Sequence, residues 1–273
     1  MEDSSRAALA DRVNRLSWAH SIDLGQGIIT PGRWGPPSPI IVQAFDSIDF
    51  RDKKVLDIGC WDGLWSFEAE RRGAREVHAT DYLSQRPDRG SPTLLTAREI
   101  LGSAVRYSPD ISVYAAPARF PERDFDIVIF AGVYYHLKDP LLALTRLRQV
   151  LKTGGIIVVE GDVIEDLRRS YATFWYTDWW GEDRSNWWIP TIRCLREWME
   201  CSFFTVRSEY RASRGLLRKA ASALRAPLRR SWFPGIGRPG RRLALVAEAV
   251  SRPDPNYLFP DPELHAFDLN VYK

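Results

Sequence analysis

Between positions 53 and 163 the chain switches repeatedly between short apolar runs and stretches with helical spacing. Val55-Leu56-Asp57-Ile58 is apolar apart from one acid, and residues 76–81 form a second short run that ends on Asp81. The runs Phe125-Asp126-Ile127-Val128-Ile129-Phe130 and Ile156-Ile157-Val158-Val159 are β-branched and nearly unbroken, as in strands covered on both faces. Helices are predicted over 62–72 with Gly73 as C-cap, over 92–101, and over 140–151 with Gly154-Gly155 as the stop. In the last of these, positions 141, 142, 144, 147, 150 and 151 are apolar. Strand alternating with helix predicts an α/β fold around a parallel, doubly wound sheet. A short strand at 105–107, a helix at 191–201 and strands at 203–210 and 243–250 bring the set to seven. A helix over 1–20 ending near Trp18 and a Gly/Pro-rich loop over 21–39 precede the core.

The turn after the first strand carries the candidate chemistry. Gly59 and Gly63 allow a sharp turn and a close backbone approach where a Cβ would collide. The helix that follows points its free N–H groups at the same crevice. Asp81 closes the second strand about 20 residues later, the offset of a carboxylate that binds ribose hydroxyls. A dinucleotide fingerprint would place a glycine where Trp61 stands, to make room for a pyrophosphate. Trp61 therefore suits a ligand without phosphate, and Asp57 can balance a ligand amino group.

With these residues the chain resembles the class I S-adenosylmethionine-dependent methyltransferases, whose first motif reads much like residues 55–63, although Trp61 replaces the family's middle glycine. The block from Phe125 through Tyr134-Tyr135-His136 to Asp139-Pro140, then Lys152-Thr153-Gly154-Gly155, resembles one branch in particular. That branch holds the bacterial tRNA wobble-uridine 5-oxyacetate (carboxy)methyltransferases and related small-molecule methyltransferases. His20-Ser21-Ile22-Asp23-Leu24-Gly25, Asn186-Trp187-Trp188-Ile189-Pro190 and Arg241-Arg242-Leu243 extend the likeness over about residues 18–250. It implies a Rossmann-like seven-stranded sheet with an N-terminal cover and insertions after the fifth and sixth strands, and S-adenosylmethionine as cofactor. It also implies that Tyr135 and Arg242 face the cofactor's carboxylate end or the substrate. The tRNA enzymes hold a carboxylated cofactor with the help of an upstream lysine. No lysine precedes Lys53 here, which favours ordinary S-adenosylmethionine and plain methyl transfer.

On this reading the chain divides into an N-terminal cap and loop (1–50), the cofactor-binding core (51–163), an aromatic substrate-side insertion (164–190), the rest of the core (191–250) and a tail (251–273). The expected cofactor ligands are Asp57, Gly59, Trp61, Gly63, Asp81 and Asp110, the last as acceptor for the adenine amino group or as a turn residue. Methyl transfer to a hydroxyl or amine needs a base. Of the four histidines, His78 lies within a strand and His265 in the tail. His136 and His20 remain as catalytic candidates, with Tyr135 beside them as a group that orients substrate. Trp175, Trp179, Trp180, Trp187 and Trp188 crowd the aromatic insertion. Trp179, Trp180, Asn186 and Trp187 are expected substrate contacts together with Arg242; the competing reading is a helical cap packed on the sheet.

Composition changes the picture in one place. Residues 211–242 hold ten of the 38 Lys and Arg and none of the 35 acids, so the rest of the chain is net negative. A helix over 211–225 in this basic insert would be a solvated surface, a dock for an anionic membrane or lipid-linked substrate, or an RNA-phosphate contact. Three cysteines without paired spacing, an acidic first turn and no membrane-length apolar run lead to the expectation of a cytoplasmic protein with no required metal. The expected acceptor is a small molecule, glycan or lipid-linked sugar methylated on oxygen. The alternatives are tRNA wobble uridine, and a cofactor-binding regulator without chemistry.

Overall fold

The computed structural model describes residues 2–82, 91–175, 185–211 and 239–251. The apolar runs become strands β1 Lys54–Ile58, β2 Glu76–Asp81, β3 Arg106–Pro109, β4 Phe125–Ala131 and β5 Leu151–Ile164. Then follow β6 Ala172–Phe174, β7 Trp188–Pro190, β8 Phe204–Arg211 and β9 Pro239–Ala249. Seven of them form one sheet in the order β3-β2-β1-β4-β5-β9-β8. The first five are mutually parallel, and β9 runs antiparallel between β5 and β8. β6 and β7 pair separately as a small antiparallel ribbon.

The helices are α1 Glu2–Asn14, α2 Pro39–Asp46, α3 Leu64–Arg71, α4 Ser91–Leu101, α5 Ala116–Arg119, α6 Pro140–Val150 and α7 Ile192–Cys201. Alternation along each strand sorts side chains onto two buried faces. Leu56, Ile58, Val128 and Phe130 pack with Leu144 and Leu147 of α6 and Leu195 and Met199 of α7. Val55, Ile127 and Ile129 pack on the other face with Ile40, Ile41 and Phe45 of α2, Phe67 of α3 and Leu94 of α4. Among the described residues no helix is long and apolar enough to cross a membrane.

Several boundaries differ from the sequence expectations for identifiable reasons. α1 ends at Asn14, short of Trp18, because the chain turns to bury the Trp18 indole, whose N–H donates to the Val13 carbonyl at 2.8 Å. α3 begins at Leu64 because Gly63 takes the left-handed conformation, φ +86°, at its N-cap. The glycine pair at 154–155 does not stop α6, which already ends at Val150. Leu151 is extended and pairs with Phe125, and the glycines fall in an irregularity of β5. α2 was not expected at all, although it contributes heavily to one face of the core. The aromatic insertion enters and leaves as strands β6 and β7; residues 176–184, on which much of the helical-cap reading falls, lie outside the described residues. Arg211 ends β8 and residues 239–242 begin β9, so the basic stretch between strands narrows to 212–238, also outside the described residues.

Candidate active site

The parallel strands deliver their C-terminal ends to one edge, where crevices form in open α/β sheets. The turn from β1 to α3 is pinned there by its own backbone. The N–H groups of Gly59 and Cys60 donate to the Thr80 carbonyl at 2.9 and 3.1 Å, and Gly63 N–H donates to Cys60 O at 2.8 Å. Gly59 has φ +76°, and a Cβ there would stand 2.4 Å from Cγ2 of Val133, which follows β4. The turn and the loop after β4 are therefore in direct contact. Trp61 adopts the left-handed conformation, φ +50°, and so follows the turn without a glycine.

Trp61 N–H donates to Asp81 Oδ2 at 2.8 Å, which anchors the carboxylate at the end of β2 against the turn. Burial raises the Asp81 pKa, opposed by backbone hydrogen bonds from Trp61 and Tyr82. Asp57 is buried below the turn and accepts from the Ser66 hydroxyl at 2.6 Å. Burial pushes its carboxyl up to about 7, with the Ser66 hydrogen bond working in the opposite direction.

Asp62, which by sequence marks only the start of a helix, has a larger part in the fold. Its fully buried carboxylate accepts from the backbone N–H groups of Ala19 at 2.8 Å and His20 at 3.0 Å, and pairs with His20 Nδ1. The N-terminal segment is thereby fastened over the turn. The Trp34 ring meets His20 edge-on at 5.1 Å and Trp61 at 5.6 Å. An acid in a glycine turn carries no local signal of this role, since its donors lie more than 40 positions away.

A second group forms after β4. Gly132 N–H donates to Glu160 O at 2.8 Å, and a 3-10 turn Tyr134–His136 follows. Arg242 of β9 forks onto the carboxylate of Glu160, which is fully buried, with Nη2 2.5 Å from Oε2. Arg242 Nη1 also donates to the Tyr135 hydroxyl at 3.3 Å. Burial pushes the Tyr135 phenol up to about 12, so it stays protonated and acts as a hydrogen-bonding group at neutral pH. His136 Nδ1 faces Ser185, 2.9 Å from its Oγ and 3.3 Å from its carbonyl oxygen. Trp187 N–H donates to the Tyr135 carbonyl at 2.7 Å, which ties the β6–β7 ribbon to this corner. Phe174 stacks on Trp187 at 6.0 Å and meets Trp188 at 4.7 Å. The Lys138 ammonium lies 5.1 Å from the Trp187 ring centre.

Most expected site residues thus fall into two adjoining groups. His20, Asp57, Gly59, Trp61, Gly63 and Asp81 form the turn group; Tyr135, His136, Trp187 and Arg242 form the corner after β4, with buried Asn186 next to Trp187 in the chain. Asp110 ends up exposed just past β3 at φ +61°, and the next residue, Ile111, bonds the Asp81 carbonyl through its N–H at 3.1 Å. Trp179 and Trp180 lie outside the described residues. The strand histidine His78 pairs with Glu76 at 2.7 Å and packs on Phe120 and Phe125, a structural setting.

Carboxylates at positions 57, 62 and 81 surround the turn, and residues 59–63 carry no Lys or Arg. That chemistry repels phosphate and suits a cationic nucleoside such as a sulfonium. A family model described as a methyltransferase domain matches residues 36–209. The chain belongs to this methyltransferase family. The family uses S-adenosylmethionine. The tRNA U34 carboxymethyltransferase of Pseudomonas aeruginosa is 29% identical over 162 residues, 58% of this chain and 46% of the relative. The chain therefore spans about half the length of the curated relatives it matches. Among solved structures, the N-terminal domain of EvdMO1, solved in the presence of SAH and D-fucose, superposes with a TM-score of 0.57. It is 16% identical and covers 89% of this chain and 97% of its own. The YcgJ protein of Bacillus subtilis superposes with a TM-score of 0.55 at 13% identity, covering 78% of this chain and 98% of its own. These structural likenesses establish the Rossmann-like class I fold.

Proposed function

We propose that this methyltransferase moves a methyl group from S-adenosylmethionine to a hydroxyl oxygen of a small molecule, a glycan or a glycolipid. The observation that carries this reading is the aromatic face of Phe174, Trp187 and Trp188 set against the Tyr135–His136 corner. Aromatic faces receive planar rings and the apolar faces of sugars. When bound, the cofactor supplies a methyl carbon on a sulfonium that departs as a neutral thioether.

The chain's own residues supply alignment, exclusion of water and removal of one proton. The turn group holds the nucleoside, and the corner after β4 presents the acceptor. His136, oriented through Ser185, takes the hydroxyl proton as the new C–O bond forms. Tyr135 stays a donor and orients the acceptor. The D-fucose in the EvdMO1 structure supports a sugar-like acceptor.

A second reading, a tRNA U34 methyltransferase or carboxymethyltransferase, follows from the names of the curated relatives. One feature speaks for methyl over carboxymethyl transfer: the Arg242 fork is already occupied by Glu160.

The test is SAH release from S-adenosylmethionine across free sugars, glycosides, glycolipids and tRNA. Turnover with a sugar-bearing acceptor is expected, and His136→Ala should lower kcat roughly 10²- to 10⁴-fold while SAH affinity is retained. Turnover on tRNA alone, with a steep salt dependence that weakens when Arg214 and Arg218 are neutralised, would reverse the choice. Cofactor binding with no turnover on any class would favour the regulator.

A further inference from the structure

The cofactor reading leaves one chemical demand unanswered. The amino-acid end of S-adenosylmethionine is a zwitterion, and its carboxylate must enter a region already lined by Asp57, Asp62 and Asp81. A carboxylate desolvated beside other acidic groups needs a cationic or strongly donating partner. Arg242 is poorly suited, because its fork is closed on Glu160 and Asp162 lies 4.0 Å from Nη1. The turn itself offers no Lys or Arg.

Among the described residues, His20 is the basic side chain hydrogen-bonded to the turn. Its Nδ1 is engaged by the fully buried Asp62 carboxylate, and its backbone N–H donates to the same group at 3.0 Å, so the ring's position is determined at two points. The side chain keeps 19% of its surface exposed, and among the described residues no hydrogen bond reaches Nε2. A histidine whose Nδ1–H is held by a buried carboxylate is oriented at its other nitrogen. Trp34 packs edge-on against the ring and meets Trp61.

We propose that His20, held by Asp62, receives the α-carboxylate of the cofactor's amino-acid end through Nε2, and that the N-terminal segment is therefore part of the cofactor site. Asp62 is a positioning residue in this arrangement. The inference rests on the S-adenosylmethionine reading and names the group that completes it.

The experiment is calorimetric titration of the full chain with S-adenosylmethionine and with its decarboxylated analogue, which differ only in the carboxylate. His20→Asn keeps a donor where Nδ1 stood, for Asp62, and removes Nε2. It should weaken S-adenosylmethionine binding roughly 10- to 100-fold, the worth of one charge-assisted hydrogen bond, and leave binding of the decarboxylated analogue unchanged. His20→Gln, which returns a donor near the Nε2 position, should recover part of the loss. Equal weakening of both ligands by His20→Asn would mean that the ring only braces the turn, and would overturn the proposal. Unchanged affinity for S-adenosylmethionine would also overturn it. If the wild-type protein binds neither ligand, the cofactor reading itself fails, which is a different result from a carboxylate-independent loss.

Discussion

Asp57 shows how burial alone gives a residue a pH signature. The folded protein holds the Asp57 proton up to about pH 7, because burial opposes ionisation more than the Ser66 hydroxyl supports it. An unfolded aspartate releases that proton near pH 4. Between these values the folded state binds more protons, so Asp57's contribution to stability is full below the unfolded value and is lost as pH rises through about 7. The span is on the order of 4 kcal/mol. Asp57→Asn keeps an acceptor for Ser66 without the charge. The variant should lose less thermal stability than wild type between pH 5 and pH 8, and identical pH profiles would contradict this account. Gly59 makes a second residue-scale case. Gly59→Ala must accept both φ +76° and a methyl 2.4 Å from Val133. A loss of about 1–3 kcal/mol in denaturant unfolding is expected. SAH affinity should fall with it, because the methyl presses on Val133 of the loop after β4.

At the scale of elements, the pairing of β5 with β9 decides the corner after β4. Asp162 stands opposite Arg242 in that register, and Glu160 stands opposite Ala244. The guanidinium reaches back to Glu160, whose side chain is 1% exposed, while its own is 40% exposed. Arg242→Ala would leave Glu160 buried without its counter-charge and should cost on the order of 2–4 kcal/mol. Adding Glu160→Gln to that variant should restore part of the loss in urea unfolding. No coupling between the two substitutions would show that the pair contributes nothing. Gly161 lies between these partners, where a Cβ would meet the Tyr134 ring at 2.6 Å. The ring can stack closely on β5 only because that position lacks a side chain. Tyr134 in turn donates its hydroxyl to the Asp162 carbonyl at 2.5 Å, so the 3-10 turn carrying Tyr135 and His136 is supported by the strand beneath it.

For the molecule as a whole, a cofactor that binds only the folded state must stabilise it. SAH at 100 times its Kd should add about 2.7 kcal/mol, which for a chain of this size raises Tm by about 4–8 °C. NAD should produce no shift, because Trp61 stands where a pyrophosphate would need a glycine. A shift with NAD and none with SAH in a thermal melt would contradict the assignment of the turn. Much of this was legible in the linear chain because it depends on short-range patterns. β-branched runs dictate buried strands, Gly59 and Gly63 dictate the turn, and an acid at the end of the second strand lies at a set distance from that turn. Hence the order of strands and helices, the cofactor class and the place of Asp81 could be read before any coordinates. The rest depends on contacts between residues far apart in sequence, which leave no local trace. Asp62 looks like any helix-initiating acid until the fold brings Ala19 and His20 to it. α2 carries an apolar stripe too short to stand out against the preceding loop until the sheet receives it. Periodicity reports what a segment must bury. Which distant partner meets a given charge is decided only when the strand ends converge.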